Sequence, residues 1–370
     1  MHKVCIVSPV HNTSDIRIFK KQFTSLVNRG FKVSVICRAD MIYAKSTKGV
    51  KITALDYSNR FLRFLHIPKI IYMALKESAD VYHIHNPDTL PVGIVLKLFG
   101  RKVIYDTHEN FRKKILLRKW IPSLIRATIA NMVFYGEKAC SHLFNATIVT
   151  QEEQKKDYKR SCLIGNSPIL PKRHSLLNKS LEKDVLRLVY VGGISEDRGL
   201  SHMLRLCSLM NEVHPTELTL IGPAINSLTN EKLLELVSKT SNVIYKGTLA
   251  QSEAFEIVKG SHYGLILLDD VADYRETSPN KLFEYMMLGT PFIATNFDKW
   301  QSLLGSINAG FFVTPSSLNL QIAKKIAQAW LDDDNYKALS TEGAGFICNT
   351  YNWELTDEPK LLKLYEEVLK

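Results

Sequence analysis

The chain has 370 residues, enough for two domains at roughly 100–200 residues each, and its 45% hydrophobic and 23% charged residues are those of a soluble globular protein. Six scattered cysteines without a CxxC pair argue against a disulfide framework or a zinc site, and no apolar run reaches the ~18 residues a membrane span needs. The net charge of +11 is uneven, with 31 Lys+Arg against 12 Asp+Glu in residues 1–180 and 17 against 25 in 181–370, so the first half is expected to face an anionic partner or to carry a solvated basic surface.

Short apolar strands alternate with amphipathic helices from the start. Lys3–Ser8 reads as a strand, Asp15–Arg29 as a helix and Lys32–Cys37 as a strand. Phe19, Phe23, Leu26 and Val27 form one apolar stripe of that helix. Further strands are expected at Asp80–Ile84, Lys102–Asp106 and Thr147–Thr150. This βαβ punctuation predicts a parallel, doubly wound sheet over residues 1–165. Composition then shifts to Gly, Asn, Ser and Pro, and 166–185 reads as a linker. A second alternation fills 186–350, with strands at Arg187–Val191, Leu218–Ile221, Val243–Tyr245, Leu265–Leu268 and Pro291–Thr295 and a helix at Leu200–Met210. Two Rossmann-like α/β domains facing across a cleft are therefore expected, with ligands at the carboxyl ends of the strands.

Those strand ends carry the candidate chemistry. The segment from Glu276 to Glu284 includes Ser278-Pro279-Asn280-Lys281, and Ser followed by Pro predicts an N-cap and first helical residue. Glu276 is then in the loop before the helix and Glu284 inside it, while the helix N-terminus offers N–H groups to an anion. On spacing alone the two glutamates read as an exposed loop residue and a helix-surface residue; the strand Leu265–Leu268 before them and Gly289-Thr290-Pro291 after them favour a site. Gly192-Gly193-Ile194-Ser195-Glu196-Asp197-Arg198-Gly199 joins a strand to a helix, where backbone and Arg198 can approach phosphate. In the first half, Asp15 is either an acceptor-hydroxyl contact or a helix N-terminal charge. His108, in Asp106-Thr107-His108-Glu109, ends a strand and faces the expected cleft, as does His85-Asn86-Pro87-Asp88. Asp269-Asp270 and Asp273 follow a strand but form no DxD metal motif, and read as loop charges.

Glutamate, seven residues, glutamate ahead of EYMMLGTPFIAT, with YVGGISEDRGL opening the second domain and YNWELTDEPKLLKLYEEVL closing the chain, resembles the retaining GT-B glycosyltransferases of family 4. The resemblance covers essentially the whole chain and is of the bacterial surface-polysaccharide type. It implies that Glu276 contacts the donor sugar, Glu284 the nucleotide ribose, and Ser278, Pro279, Asn280 and Lys281 the diphosphate. It implies that His108 lies near the reacting carbon, and that residues 351–370 cross back onto the first domain. Gly193 stands where the family usually has a basic residue. The diphosphate clamp then rests on Arg198 and is one charge short unless Lys281 supplies it. The loop His11–Arg17 lacks the glycines many members have there.

The implied reaction is metal-independent transfer of a hexosyl or N-acetylhexosaminyl group, without a cofactor. The donor is a nucleotide sugar, UDP-sugar by default, and the acceptor a glycan or lipid-linked glycan hydroxyl of a capsule, O-antigen or exopolysaccharide. Residues 111–136 hold Arg112, Lys113, Lys114, Arg118, Lys119 and Arg126 with no acidic residue, interleaved with apolar side chains and Trp120. This stretch, with Phe61–Lys76, reads as an anionic-membrane contact or as an ordinary packed helix. A cytoplasmic protein, peripheral on the inner face of the plasma membrane, is expected. A UDP-sugar 2-epimerase of the same fold and a non-catalytic nucleotide-sugar or nucleic-acid binding module are the rival readings. No aromatic-interleaved basic groove for single-stranded nucleic acid is evident.

Overall fold

The computed structural model describes residues 1–38, 50–55, 62–118, 120–170, 182–225, 228–271 and 274–370. The chain divides into two compact units, one of Met1–Asn166 with Trp353–Lys370 and one of Ser167–Asn352. Part of the expected linker, 171–181, lies outside the described residues, as do Phe61, Lys119 and Asp273.

The first unit holds a seven-stranded parallel sheet. Its strands are β1 (Lys3–Ser8), β2 (Lys32–Arg38), β3 (Val50–Leu55), β4 (Val81–His85), β5 (Lys102–Thr107), β6 (Ala146–Val149) and β7 (Ser161–Leu163), in the order β3-β2-β1-β4-β5-β6-β7. The second unit holds β8 (Leu186–Val191), β9 (Thr216–Ile221), β10 (Val243–Tyr245), β11 (Tyr263–Ile266), β12 (Phe292–Thr295) and β13 (Gly310–Val313), in the order β10-β9-β8-β11-β12-β13. Both are doubly wound, and the order reverses between β1 and β4 and between β8 and β11. Crevices at such switch points, outside the carboxyl ends of the strands, are where these sheets bind ligands.

Strands in parallel sheets are covered on both faces and are apolar throughout. Along β8, Leu188 and Tyr190 enter one core with Leu218, Leu265 and Trp330, while Val189 enters the other with Phe283, Phe292 and Trp300. In the first unit Cys5, Val7, Tyr82, Ile84, Val103 and Tyr105 build a core with Phe144.

The C-terminal segment belongs to the first unit. Trp353 Nε1 donates to Ser25 Oγ at 2.9 Å, and Asp357 accepts from the Gly165 amide at 2.8 Å. The final helix, Glu358–Leu369, brings the Tyr365 hydroxyl to 2.8 Å from His83 Nδ1.

The first expected helix is two segments, a π-helix at Ile16–Phe23 and an α-helical turn at Thr24–Asn28. A π-turn brings residues i and i+5 together, which aims both Arg17 and Gln22 inward at Asp106. The α-helical stripe read from the apolar residues does not place these two side chains together.

Candidate functional site

In the second unit, three glycines close the carboxyl ends of the strands around the β8/β11 switch point. Gly199 has φ +82°, and a Cβ there would sit 1.8 Å from the Leu267 carbonyl oxygen. Gly222 has φ +132°, with the Gly192 carbonyl 2.1 Å from where its Cβ would be. Gly192, at φ +145°, carries the Lys281 side chain over its Cα, where a side chain of its own would displace the ammonium. Only glycine meets both the backbone angle and the close approach.

Lys281 therefore lies over the first turn after β8. Its ammonium donates to the Tyr190 hydroxyl at 3.3 Å and sits 4.6 Å from the centre of that ring. Burial pulls its pKa down to about 7, helped by the Arg198 charge and opposed by Glu284. Arg198 ends the short helical turn Glu196–Arg198 and lies 5.8 Å from the Tyr274 ring. Its buried Nε has no hydrogen-bond partner among the described residues. Two cations and an adjoining carboxylate thus gather at the strand ends, with donor capacity unspent. Gly193 packs against Ile225, whose Cδ1 lies 2.7 Å from a Cβ built there, and its carbonyl accepts from the Tyr190 hydroxyl at 2.8 Å.

The helix bearing Glu284 runs Asn280–Met287, so Ser278 and Pro279 stand before it and neither caps it through a side chain. This corrects the expected N-cap at Ser278. The cause is Pro279 itself, whose ψ of 61° is not helical. The Asn280 amide turns back to the Ser278 carbonyl at 2.9 Å, and the Leu282 amide bonds the Pro279 carbonyl at 2.9 Å. The Lys281 amide is left as a first-turn donor, and the buried Asn280 Oδ1 has no partner among the described residues.

Glu276 ends the turn Tyr274–Glu276 and is half-buried. Its backbone is held from the helix Asp298–Leu304. Lys299 Nζ donates to the Glu276 carbonyl at 2.7 Å, and Trp300 Nε1 to the Thr277 carbonyl at 2.9 Å. Asp269 Oδ1 accepts from His202 Nε2 at 2.8 Å, and Asp270 pairs with Arg275 at 3.4 Å.

In the first unit, four histidines line the carboxyl ends of β1, β4 and β5. His11 and His108 have ring centres 5.2 Å apart, His85 and His108 6.3 Å, and His83 stacks on His85 at 4.4 Å. His108 is half-buried, and its Nδ1 has no partner among the described residues. Burial lowers its pKa while Asp106 opposes the shift, so it stays neutral at pH 7. Its backbone is fixed by Thr150, whose hydroxyl donates to the His108 carbonyl at 3.1 Å. Beside it, Asn86 holds φ +69° and ψ 154°, a region that costs a non-glycine residue of order 1–3 kcal/mol and clusters at functional sites.

Asp106 is the buried hub beneath these rings. Arg17 reaches it through Nε at 3.1 Å and Nη2 at 3.0 Å, and Gln22 Nε2 donates at 2.6 Å. Burial works to raise this carboxyl, but the Arg17 guanidinium holds it below the usual range. His83, His85 and Asp106 are close enough to suggest metal ligands. Asp106 accepts from Arg17 at both oxygens and from Gln22 at Oδ2, so its carboxylate is engaged within the unit. A buried carboxylate stripped of its partner costs about 3–5 kcal/mol, which gives Arg17 a structural duty.

Asp15 caps the π-helix, accepting from the Ile18 amide at 2.8 Å. Of its two expected roles, the helix N-terminal one is the contact observed. Arg17, Gln22, Tyr190, Lys299 and Tyr365 were not singled out by the sequence. Arg17 closes the loop His11–Arg17, but only the π-turn reveals its target.

Residues 111–136 fold as two helices, Phe111–Leu116 and the start of Ser123–Leu143. Ile115, Ile121 and Ala130 make a small core between them. Trp120 and Leu124 remain 62% and 93% exposed, beside exposed Leu117 and Ile125. Arg118 lies 5.8 Å from the Trp120 ring. No helix among the described residues is long and apolar enough to cross a membrane.

Residues 185–332 match the family described as Glycosyl transferases group 1. No curated protein matches the chain in sequence. Among solved structures, sucrose-phosphate synthase from Thermosynechococcus elongatus is 18% identical with a TM-score of 0.73, covering 100% of this chain and 99% of that one. Anabaena HepE in complex with UDP and glucose is 12% identical with a TM-score of 0.69, covering 99% and 100%. WaaG, a glycosyltransferase involved in lipopolysaccharide biosynthesis, is 14% identical with a TM-score of 0.68, covering 98% and 99%. With two doubly wound parallel sheets, these likenesses give the chain the GT-B fold.

Proposed function

We propose that the chain is a glycosyltransferase that moves a sugar from a nucleoside diphosphate sugar, UDP-sugar in the first instance, to an acceptor hydroxyl. One observation carries the reading. Lys281 and Arg198 converge at the β8/β11 switch point with the Lys281 ammonium laid on Gly192. Two partly desolvated cations, with the Arg198 Nε and the Lys281 amide as unspent donors, suit a leaving diphosphate, whose charge grows as the sugar departs. The match of 185–332 to group 1 glycosyl transferases supports this, and a GT-B neighbour is seen with UDP and glucose.

In this reading Lys281, Arg198 and the Lys281 backbone amide hold the diphosphate, with Ser278, Pro279 and Asn280 beside it. Gly193 lets the loop approach it. Glu284 accepts from ribose hydroxyls and Glu276 from the donor sugar. The bond from the anomeric carbon to the diphosphate oxygen breaks and the bond to the acceptor oxygen forms. The acceptor proton passes to the departing diphosphate, the configuration is retained and no metal is needed. Neutral, half-buried His108 acts on the sugar being transferred. The acceptor is proposed to be a surface glycan or its lipid-linked precursor, with the basic hairpin 111–136 docking on the anionic inner face of the plasma membrane.

Calorimetry with UDP tests the donor site directly. Lys281→Met and Arg198→Ala should each weaken UDP at least tenfold with the fold retained, whereas Glu276→Ala should bind UDP normally and lose transfer. Wild-type UDP affinity in both cation variants would contradict the assignment.

A further inference from the structure

A cavity of about 780 Å³ opens at the other pole of the first unit, where Lys102, Ala146 and Ser161 begin β5, β6 and β7. His108 follows the opposite end of β5. Six strand residues at about 3.3 Å each put the cavity roughly 20 Å from the histidines. Its second wall is the helix Glu358–Leu369, which presents Lys360, Lys363 and Glu367 at three- and four-residue spacing on one face. Lys370 extends the same row.

Five cationic side chains, Lys102, Arg160, Lys360, Lys363 and Lys370, line this space, with Glu367 the one acidic side chain. Two are held in place by backbone. Lys102 Nζ donates to the Leu369 carbonyl at 2.7 Å, and Arg160 Nη1 to the Phe144 carbonyl at 3.1 Å. Arg160 adopts φ +49°, a left-handed conformation that a non-glycine residue holds at a cost and that clusters at functional sites. Glu367 stands 4.0 Å from Lys363 and Asp357 4.0 Å from Lys360. Both lysines are exposed, and these two carboxylates leave the five cations in excess. Behind Arg160, Lys97 is pushed below the usual lysine range by burial and by the Arg160 charge, a sign that positive charge is in excess here. The Asn145 amide adds a hydrogen-bonding group, and Leu364 and Val368 an apolar floor.

The volume is that of a small-molecule site, and like charges converging on one space call for an anion bearing several charges. The exposed apolar residues Trp120 and Leu124 follow the carboxyl end of β5, at the pole opposite this cavity. A surface that met those residues would leave the cavity facing away from it, which favours a soluble ligand over a lipid headgroup. We infer that the cavity is a second anion site, distinct from the donor site, for a soluble phosphorylated molecule of the diphosphate or sugar-phosphate class. The helix that walls the cavity also carries Tyr365, whose hydroxyl lies 2.8 Å from His83 Nδ1.

Calorimetric titration of the full chain with inorganic pyrophosphate at low ionic strength tests this. Two classes of site are expected, one lost in Arg198→Ala and the other weakened at least tenfold in Lys360→Ala/Lys363→Ala. Lys363→Glu alone, at an exposed position, should reproduce the second loss if the double variant folds poorly by circular dichroism. A single class that depends on Arg198 alone, or unchanged binding in the lysine variants, would overturn the inference. So would loss of binding to phosphatidylglycerol vesicles with pyrophosphate binding intact, which would assign the lysines to a lipid. Failure of the glycosyltransferase reading would show in the Arg198-dependent class and leave this one standing.

Discussion

At Lys281, burial and the nearby Arg198 charge bring the pKa to about 7, against 10.5 for an ordinary lysine. At pH 8 the unliganded side chain is then mostly neutral. A diphosphate brought beside it favours the charged form, so binding must take up a proton. UDP affinity should fall as pH rises above about 7, and calorimetry at pH 8 in buffers of different ionisation enthalpy should report uptake approaching one proton. Lys281→Met should abolish that uptake; an equal uptake in the variant would place the proton elsewhere. The sequence offered Lys281 and Arg198 as candidates because one follows a Ser-Pro helix start and the other closes a glycine-rich turn between strand and helix. It could not show the Lys281 ammonium reaching Gly192 within the field of the Arg198 charge, which depends on β11 pairing beside β8. Tyr190, inside an apolar strand, carried no polar signal. Ser278 misled for a local reason, since a serine before proline signals a cap only if the proline itself turns helical.

At the scale of elements, the helix Ser123–Leu143 links the exposed hairpin to the histidine wall through one buried carboxyl. Glu137 accepts from the hydroxyls of Tyr105 at 2.6 Å and Thr107 at 2.9 Å, and burial raises its pKa to about 7 despite those bonds. The folded state therefore holds this proton more tightly than the unfolded chain, whose glutamate titrates near 4.5. Stability contributed by protonated Glu137 is present below about 4.5 and is lost as pH rises through about 7. Glu137→Gln should flatten that decline, so the gain in its thermal midpoint over wild type should grow between pH 5 and 8. A constant difference would refute the shift. The hairpin itself should sediment the protein with anionic vesicles. Each basic residue near the surface contributes about 1 kcal/mol, and binding should fade as salt shortens the screening length. Trp120→Ala/Leu124→Ser should weaken it several-fold, and binding to neutral vesicles at equal strength would contradict an electrostatic dock. Residues 111–136 were legible as basic and amphipathic. Their folding as a hairpin with its own small core was not, because Ile115 and Ala130 meet only when the chain turns at Ile121.

Over the whole chain, the alternation of strand and helix was legible because parallel strands must be apolar on both faces, and β1 and β10 match their expected bounds. The strands Val50–Leu55, Ser161–Leu163 and Gly310–Val313 escaped notice. They carry polar or short patterns and lie at or next to sheet edges, where burial imposes less on composition. Likewise the bond between Tyr365 and His83 joins residues 282 positions apart, beyond the reach of any local pattern. The account as a whole rests on group transfer from a nucleoside diphosphate sugar at the second unit. Its most direct test is mass spectrometry of a reaction containing the full chain, pooled nucleotide sugars and a membrane extract. The account predicts one sugar added to an acceptor with release of the matching nucleoside diphosphate, and neither product with Glu276→Ala. An epimeric nucleotide sugar formed without an acceptor, or wild-type turnover by Glu276→Ala, would contradict it.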